Sequence, residues 1–172
     1  MIGSLVNTIQ VPTLRLNTIV RHSPLQRLDW QEHLGGLPDD VSGRWLDTAK
    51  HFAERPPELG NQMSNWSLAL ANEMQRHGVP IGAGTDTPIG QAIPGYSLHT
   101  ELERLVDVGL TPLQALGAAT IHPAHFFRQR EQRGEIRAGM EADLVLLTGN
   151  PLKDIRNTRS IKAVISNGKR VR

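Results

Sequence analysis

The chain has 172 residues, a formal net charge of +2, 38% apolar and 21% charged residues, and no cysteine. These values suit one globular domain, or one domain with a small appendage, and argue against a fibrous or wholly disordered chain. They also exclude disulfides and thiolate metal sites, leaving His, Asp, Glu and modified Lys as ligand types.

The opening, MIGSLVNTIQVPTLRL, is broken by Asn7, Gln10 and Arg15 and lacks the basic-then-apolar order of a signal peptide. No apolar run approaches a membrane span, so the expected setting is cytoplasmic with no membrane partner. Within this opening, VNTIQVPTLRL reads as a strand rich in β-branched residues, with Pro12 near its end. Residues 21–62 follow as a polar, turn-rich excursion of the kind that forms a lid. Inside it SGRWLDTAKHFAER predicts a short helix, capped by Ser42, with Trp45, Ala49 and Phe52 on one face.

NWSLALANEMQRH predicts the next helix, with Trp66, Leu70 and Met74 four residues apart and Gly78 as its left-handed terminator. VPIGAGTD then supplies a short strand ending in small residues and Asp86, completing an α/β unit. SLHTELERLVDV is a helix burying Leu98, Leu102, Leu105 and Val106, stopped at Gly109. TPLQALGAA follows with Thr111 as N-cap, Pro112 at the first helical position and Gln114 completing a capping box. His122-Pro123 opens one further short turn. Beyond about residue 130, EADLVLLT and SIKAVIS read as strands, and Asn167-Gly168 is the strongest hairpin signal in the chain.

Charge is uneven: residues 1–127 hold eight Lys/Arg against twelve Asp/Glu, and residues 128–172 eleven against five. The basic residues of the tail are scattered singly, and no aromatic residue follows Phe127 to stack on bases. Nucleic acid is therefore not an expected partner.

Asp86 leads the chemical candidates. The carboxyl ends of strands face the ligand side in parallel α/β architectures, and Gly82 and Gly84 leave room for a close approach. A carboxylate there can bind a hard or borderline cation and take a proton from an attacking water; alternatively it caps the following turn. His99, just beyond the same loop, is a candidate for binding substrate, against the plainer reading of a surface or capping histidine. His122 and His125 stand three apart, but Pro123 between them argues for a helix start rather than a metal pair. Ser64, Ser67 and Ser97 lack a nucleophile-elbow context, and GAGTDTPIG lacks the lysine of a P-loop.

The run from VPIGAGTD through HTELERLVDVGLTPLQALGAAT, GEIRAGMEADLVLL, GNPLKDI and IKAVISNGK resembles the C-terminal portion of the metal-dependent amidohydrolase superfamily. The nearest group is the imidazolonepropionase-like and prolidase-like one, and VPTL resembles its seventh barrel strand. The resemblance implies an α/β fold: a partial (β/α)8 TIM barrel comprising the last two βα units, plus C-terminal strands of a small composite β-sandwich domain. Residues 1–128 would be the barrel part, with residues 21–62 inserted as a lid, and residues 129–172 the β-domain segment.

The implied chemistry is hydrolysis of non-peptide or dipeptide C–N bonds by a metal-activated water, on a small-molecule amide or lactam. Asp86 matches the family's strand-eight aspartate, which binds the divalent metal, most often Zn, and serves as general base. The family's remaining metal ligands have no counterpart here, and a complete barrel needs about 250 residues. Activity is therefore expected only with a complementing N-terminal barrel chain or a longer product. The alternative is a catalytically inactive truncated remnant, or an interaction module that persists as a homo-oligomer.

Overall fold

A computed structural model describes residues 8–21, 23–54 and 57–172. Val6 and Asn7 of the expected opening strand, His22, and the side chain of Phe52 lie outside the described residues. The helices are α1 (Leu14–Asn17), α2 (Leu28–Leu34), α3 (Asp39–Ala53), α4 (Pro57–Arg76), α5 (Ser97–Asp107), α6 (Pro112–Ala119) and α7 (Ile121–Phe126). The strands are β1 (Leu144–Leu147), β2 (Ile161–Ser166) and β3 (Lys169–Arg170), and 3-10 turns occupy Pro24–Gln26, Ile89–Gln91 and Ile155–Arg159.

The two expected N-terminal strands meet in one parallel bridge, Gln10 with Ile81. Gln10 N–H donates to the Pro80 carbonyl and Gly82 N–H to the Gln10 carbonyl, both at 2.9 Å. Gly82 and Gly84 do make room, but for the neighbouring segment: a Cβ at Gly82 would lie 2.8 Å from Ile9 Cδ1, and one at Gly84 would strike Val11. The opposite edge of residues 80–83 is also bonded. Ala83 N–H donates to the Ala118 carbonyl at 2.8 Å, and His122 Nδ1 lies 2.7 Å from the Ile81 carbonyl.

The opening strand is shorter than its composition suggests. Thr13 takes a left-handed φ of 48° and residues 14–17 turn into α1, so TLRL is not extended. The cause is distant in sequence: the first donors of α1 are claimed by Glu101, on α5. Further along, α3 begins at Asp39 directly behind Pro38, three residues before the expected cap. Ser42 is consequently inside the helix, its hydroxyl donating back to the Asp39 carbonyl at 3.0 Å.

The excursion is largely helical, because α4 starts at Pro57 rather than Asn65. Its buried face carries Ser64, Ser67 and Ala71, whereas Trp66 (61% exposed) and Leu70 face outward. Val79 N–H reaches back to the Met74 carbonyl and Gly78 N–H to that of Gln75, with Gly78 at φ 66°. This is a Schellman ending, and it feeds the chain straight into Ile81.

The main core gathers Leu14, Ala71, Ile81, Leu102, Leu105 and Ala118 around the junction of α1, α4, α5 and α6. Leu105 is fully buried, a contribution of about 1.5–3 kcal/mol by transfer. A second cluster packs Trp30 and Leu34 of α2 against Ile93 and Tyr96, tying the excursion to the start of α5. Thr111 and Gln114 form the expected capping box. At the C-terminus β1, β2 and β3 form an antiparallel sheet in that order, with Val145 opposite Val164. Asn167 (φ 49°) and Gly168 (φ 75°) make the tight β2–β3 turn.

Candidate active site

Asp86 sits on the exposed loop that follows the Ile81 bridge, at φ 52°. Its carbonyl accepts the Ile89 N–H at 2.8 Å, closing the turn. A left-handed residue other than glycine costs about 1–2 kcal/mol, although Asp tolerates the region better than most. Such a conformation persists only where its surroundings over-determine it.

Arg15 supplies that determination. Its guanidinium donates through Nη1 to the carbonyls of Thr85 (3.3 Å) and Ile89 (3.1 Å), and through Nη2 to those of Ile89 (3.1 Å) and Gly90 (2.7 Å). These three carbonyls bracket Asp86. Gly90, at a left-handed φ of 58°, lies beside the fork: a Cβ there would meet Leu16 Cδ1 at 2.5 Å and Arg15 Nη2 at 2.9 Å. Burial pushes the Arg15 guanidinium below its ordinary pKa, opposed by the charges of Glu101 and Asp86.

Glu101 in turn fixes Arg15. Its carboxylate accepts the Leu14 N–H at 3.0 Å and the Arg15 N–H at 2.7 Å, and the residue is 0% exposed. Burial raises its pKa to about 7, against the lowering effect of those two hydrogen bonds. Neither Glu101 nor Arg15 stands out as a candidate in the sequence. The available signal was positional: Glu101 falls within the stripe of Leu98, Leu102 and Leu105, where a carboxylate has no reason to be unless it is paired.

His99 belongs to a different group of contacts. Its Nδ1 lies 3.0 Å from Thr158 Oγ1, and its ring meets the Tyr96 ring edge-on at 6.2 Å. Burial, helped by the Arg159 charge, lowers its pKa to about 4, so it stands neutral at pH 7. Around it Tyr96 donates to Asp29, Arg27 pairs with Asp29, Arg159 pairs with Glu103, and His33 stacks on Tyr96 at 4.1 Å. This cluster joins α2, α5 and the 155–159 turn.

Ser64 and Ser97 hold backbone in place. Ser64 donates to the Asn17 carbonyl at 2.7 Å, and Ser97 accepts the Ile93 N–H at 2.8 Å. His125 is exposed while His122 is held on the Ile81 carbonyl. Among the described residues no group of three or more His, Asp or Glu could hold a metal ion. Asp86 thus offers one carboxylate, and zinc needs three or four ligands. By themselves the described residues do not fit a metal site. No helix among them is long and apolar enough to cross a membrane.

The family model for the amidohydrolase family (Amidohydro_3) matches residues 43–172, which takes in the Asp86 loop, α5, α6 and the C-terminal sheet. The chain belongs to the amidohydrolase family. An imidazolonepropionase of Herpetosiphon aurantiacus is 42% identical over 171 aligned residues, covering 84% of this chain and 38% of the relative. The ochratoxinase of Aspergillus niger is 42% identical over 89 residues, 51% of this chain and 18% of the enzyme. The crystal structure of a Xaa-Pro dipeptidase with methionine bound in its active site superposes with a TM-score of 0.66, over 95% of this chain and 34% of the dipeptidase. At 22% identity that likeness speaks for the fold alone. The chain spans well under half the length of each of these proteins.

Proposed function

We propose that the chain is the Asp86-bearing part of an amidohydrolase that hydrolyses C–N bonds in a small amide or lactam. In this reading residues 1–128 form the last two βα units of a barrel, residues 21–62 shield its mouth, and residues 129–172 contribute to a composite β domain. The observation carrying it is the family match over residues 43–172 together with Asp86 held at the loop after the Ile81 bridge. Asp86 acts as general base, accepting a proton from the attacking water and returning it to the leaving nitrogen. In a complete family site it also ligates a divalent metal, zinc by preference. The other ligands come from outside the described residues, so no step through a metal is assigned to this chain alone. His99, neutral and half-buried with its Nδ1 beside Thr158, belongs to the neighbouring Tyr96 cluster and would offer substrate only its Nε2.

The test is co-expression with the N-terminal barrel portion of a relative, followed by assay of amide and lactam hydrolysis with Zn²⁺. Zinc-dependent turnover is expected, falling by about 10²–10⁴-fold in Asp86→Asn, the range of a lost general base. An inactive pair beside an active full-length relative, or full activity in Asp86→Asn, overturns the proposal.

One observation favours a second reading, a non-catalytic interaction module. Both edges of residues 80–83 are already hydrogen-bonded, by Gln10 on one side and by Ala118 and His122 on the other. An edge blunted in this way suits a chain that persists without further strands.

A further inference from the structure

Arg15 and Glu101 are both buried, lie far apart in sequence and converge on one exposed loop. We infer that they form a two-tier mount that positions Asp86: Glu101 fixes the backbone of Leu14 and Arg15, and Arg15 fixes the loop from which Asp86 projects. The inference rests on the reading of Asp86 as the reacting carboxylate, and it adds two positioning residues to that site.

Three features carry it. The guanidinium spends four hydrogen bonds on three carbonyls within a six-residue span, Thr85, Ile89 and Gly90, on both sides of Asp86. Bidentate forks of this kind fix orientation as well as distance, which lysine cannot reproduce. Gly90 lets Leu16 and the Arg15 fork approach the loop backbone closely. Finally, the Glu101 carboxylate grips the first two amides of α1, including that of Arg15 itself, so the root of the fork cannot swing. A loop that must present a carboxylate to within a fraction of an ångström gains more from such a mount than a loop that merely turns the chain.

The experiment is amide hydrogen exchange on the chain, residue by residue, in the parent, Arg15→Lys and Glu101→Gln. The Ile89 amide, bonded to the Asp86 carbonyl at 2.8 Å, is expected to exchange about tenfold faster in Arg15→Lys, the loss of roughly one charge-assisted hydrogen bond. Glu101→Gln should accelerate the same amide although the Glu101 carboxylate bonds the amides of Leu14 and Arg15 rather than the loop. Amides of the β1–β2 ladder should be unchanged in both variants, which separates loosening of the loop from general destabilisation.

Where Glu101→Gln fails to fold, Arg15→Ala with added ethylguanidinium decides. Exchange at Ile89 should return toward the parent rate with ethylguanidinium and not with ethylammonium. The Asp86 carboxyl ¹³C resonance, assigned by its loss in Asp86→Asn, should broaden in Arg15→Ala and sharpen on rescue. An Ile89 amide indifferent to Arg15→Lys, or rescue by both cations alike, overturns the mount whatever Asp86 does. A loosened loop beside full hydrolysis in Asp86→Asn overturns instead the reading on which the mount's purpose rests.

Discussion

The Tyr96 hydroxyl donates to the carboxylate of Asp29, 67 residues earlier in the chain, and Arg27 grips the same carboxylate from its own segment. The shared acid thereby joins α2 to the start of α5. Burial and the hydrogen bond to Asp29 push the tyrosine up to about 12. The Arg27 and Tyr96 hydrogen bonds outweigh desolvation and hold Asp29 well below the usual carboxylate range.

The sign of the resulting pH effect follows from linkage. A carboxylate depressed on folding stabilises fully above its unfolded value of about 3.9 and less as pH falls through the folded one. Thermal melts between pH 2 and 5 should therefore show stability falling with acid, with a shallower fall in Asp29→Asn. Because the Asp29 side chain is 36% exposed, solvent screening keeps the effect small.

Glu101 and His99 shift in opposite directions and should oppose each other. Glu101 is raised to about 7, so its contribution is present below about 4.3 and lost as pH rises through 7. His99 is lowered to about 4, so its contribution is present above about 6.5 and lost as pH falls through 4. Denaturant midpoints from pH 4.5 to 6.5 should change little in the parent. In Glu101→Gln they should rise with pH, and in His99→Gln they should fall.

Two large residues at helical spacing should behave unlike each other. Leu105→Ala, at 0% exposure, is expected to cost about 2–5 kcal/mol in urea unfolding. Trp66→Gln, on the outer face of α4, should change stability by no more than about 0.5 kcal/mol. A large loss at Trp66 would mean that this face is covered in solution.

The Thr111 cap is a local device with a local cost. Its hydroxyl accepts the Gln114 N–H at 3.2 Å, and the Thr111 N–H donates in turn to Gln114 Oε1 at 2.8 Å. Thr111→Ala should lose about 1 kcal/mol, measurable as a lower melting temperature with unchanged far-ultraviolet dichroism.

What the sequence makes legible is whatever its neighbours decide. The capping box, the Gly78 ending, the Gly109 stop (φ 107°) and the Asn167-Gly168 turn each follow from residues within one turn of themselves. Asp86 is legible too, as the acid closing a strand. Hidden from local reading is everything that depends on partners far along the chain. TLRL has strand composition, yet it coils because Glu101 captures its amides from 87 residues away. Arg15 and Glu101 look like solvated charges until the fold brings them together, and Trp66 looks like core until Ser64 and Ser67 take the inward face.

On the proposed reading, in which residues 80–83 belong to a larger barrel, their bonding on both edges makes completion of that sheet an exchange reaction. A strand arriving after this chain has folded must first break the Ala83–Ala118 and His122–Ile81 bonds, so its arrival is slowed by a barrier that concentration cannot lower. A strand present while the chain is still folding meets no such barrier and competes for the edge on equal terms. On the proposed reading, order of addition then sets how fast two such pieces become one sheet, while affinity still sets how completely.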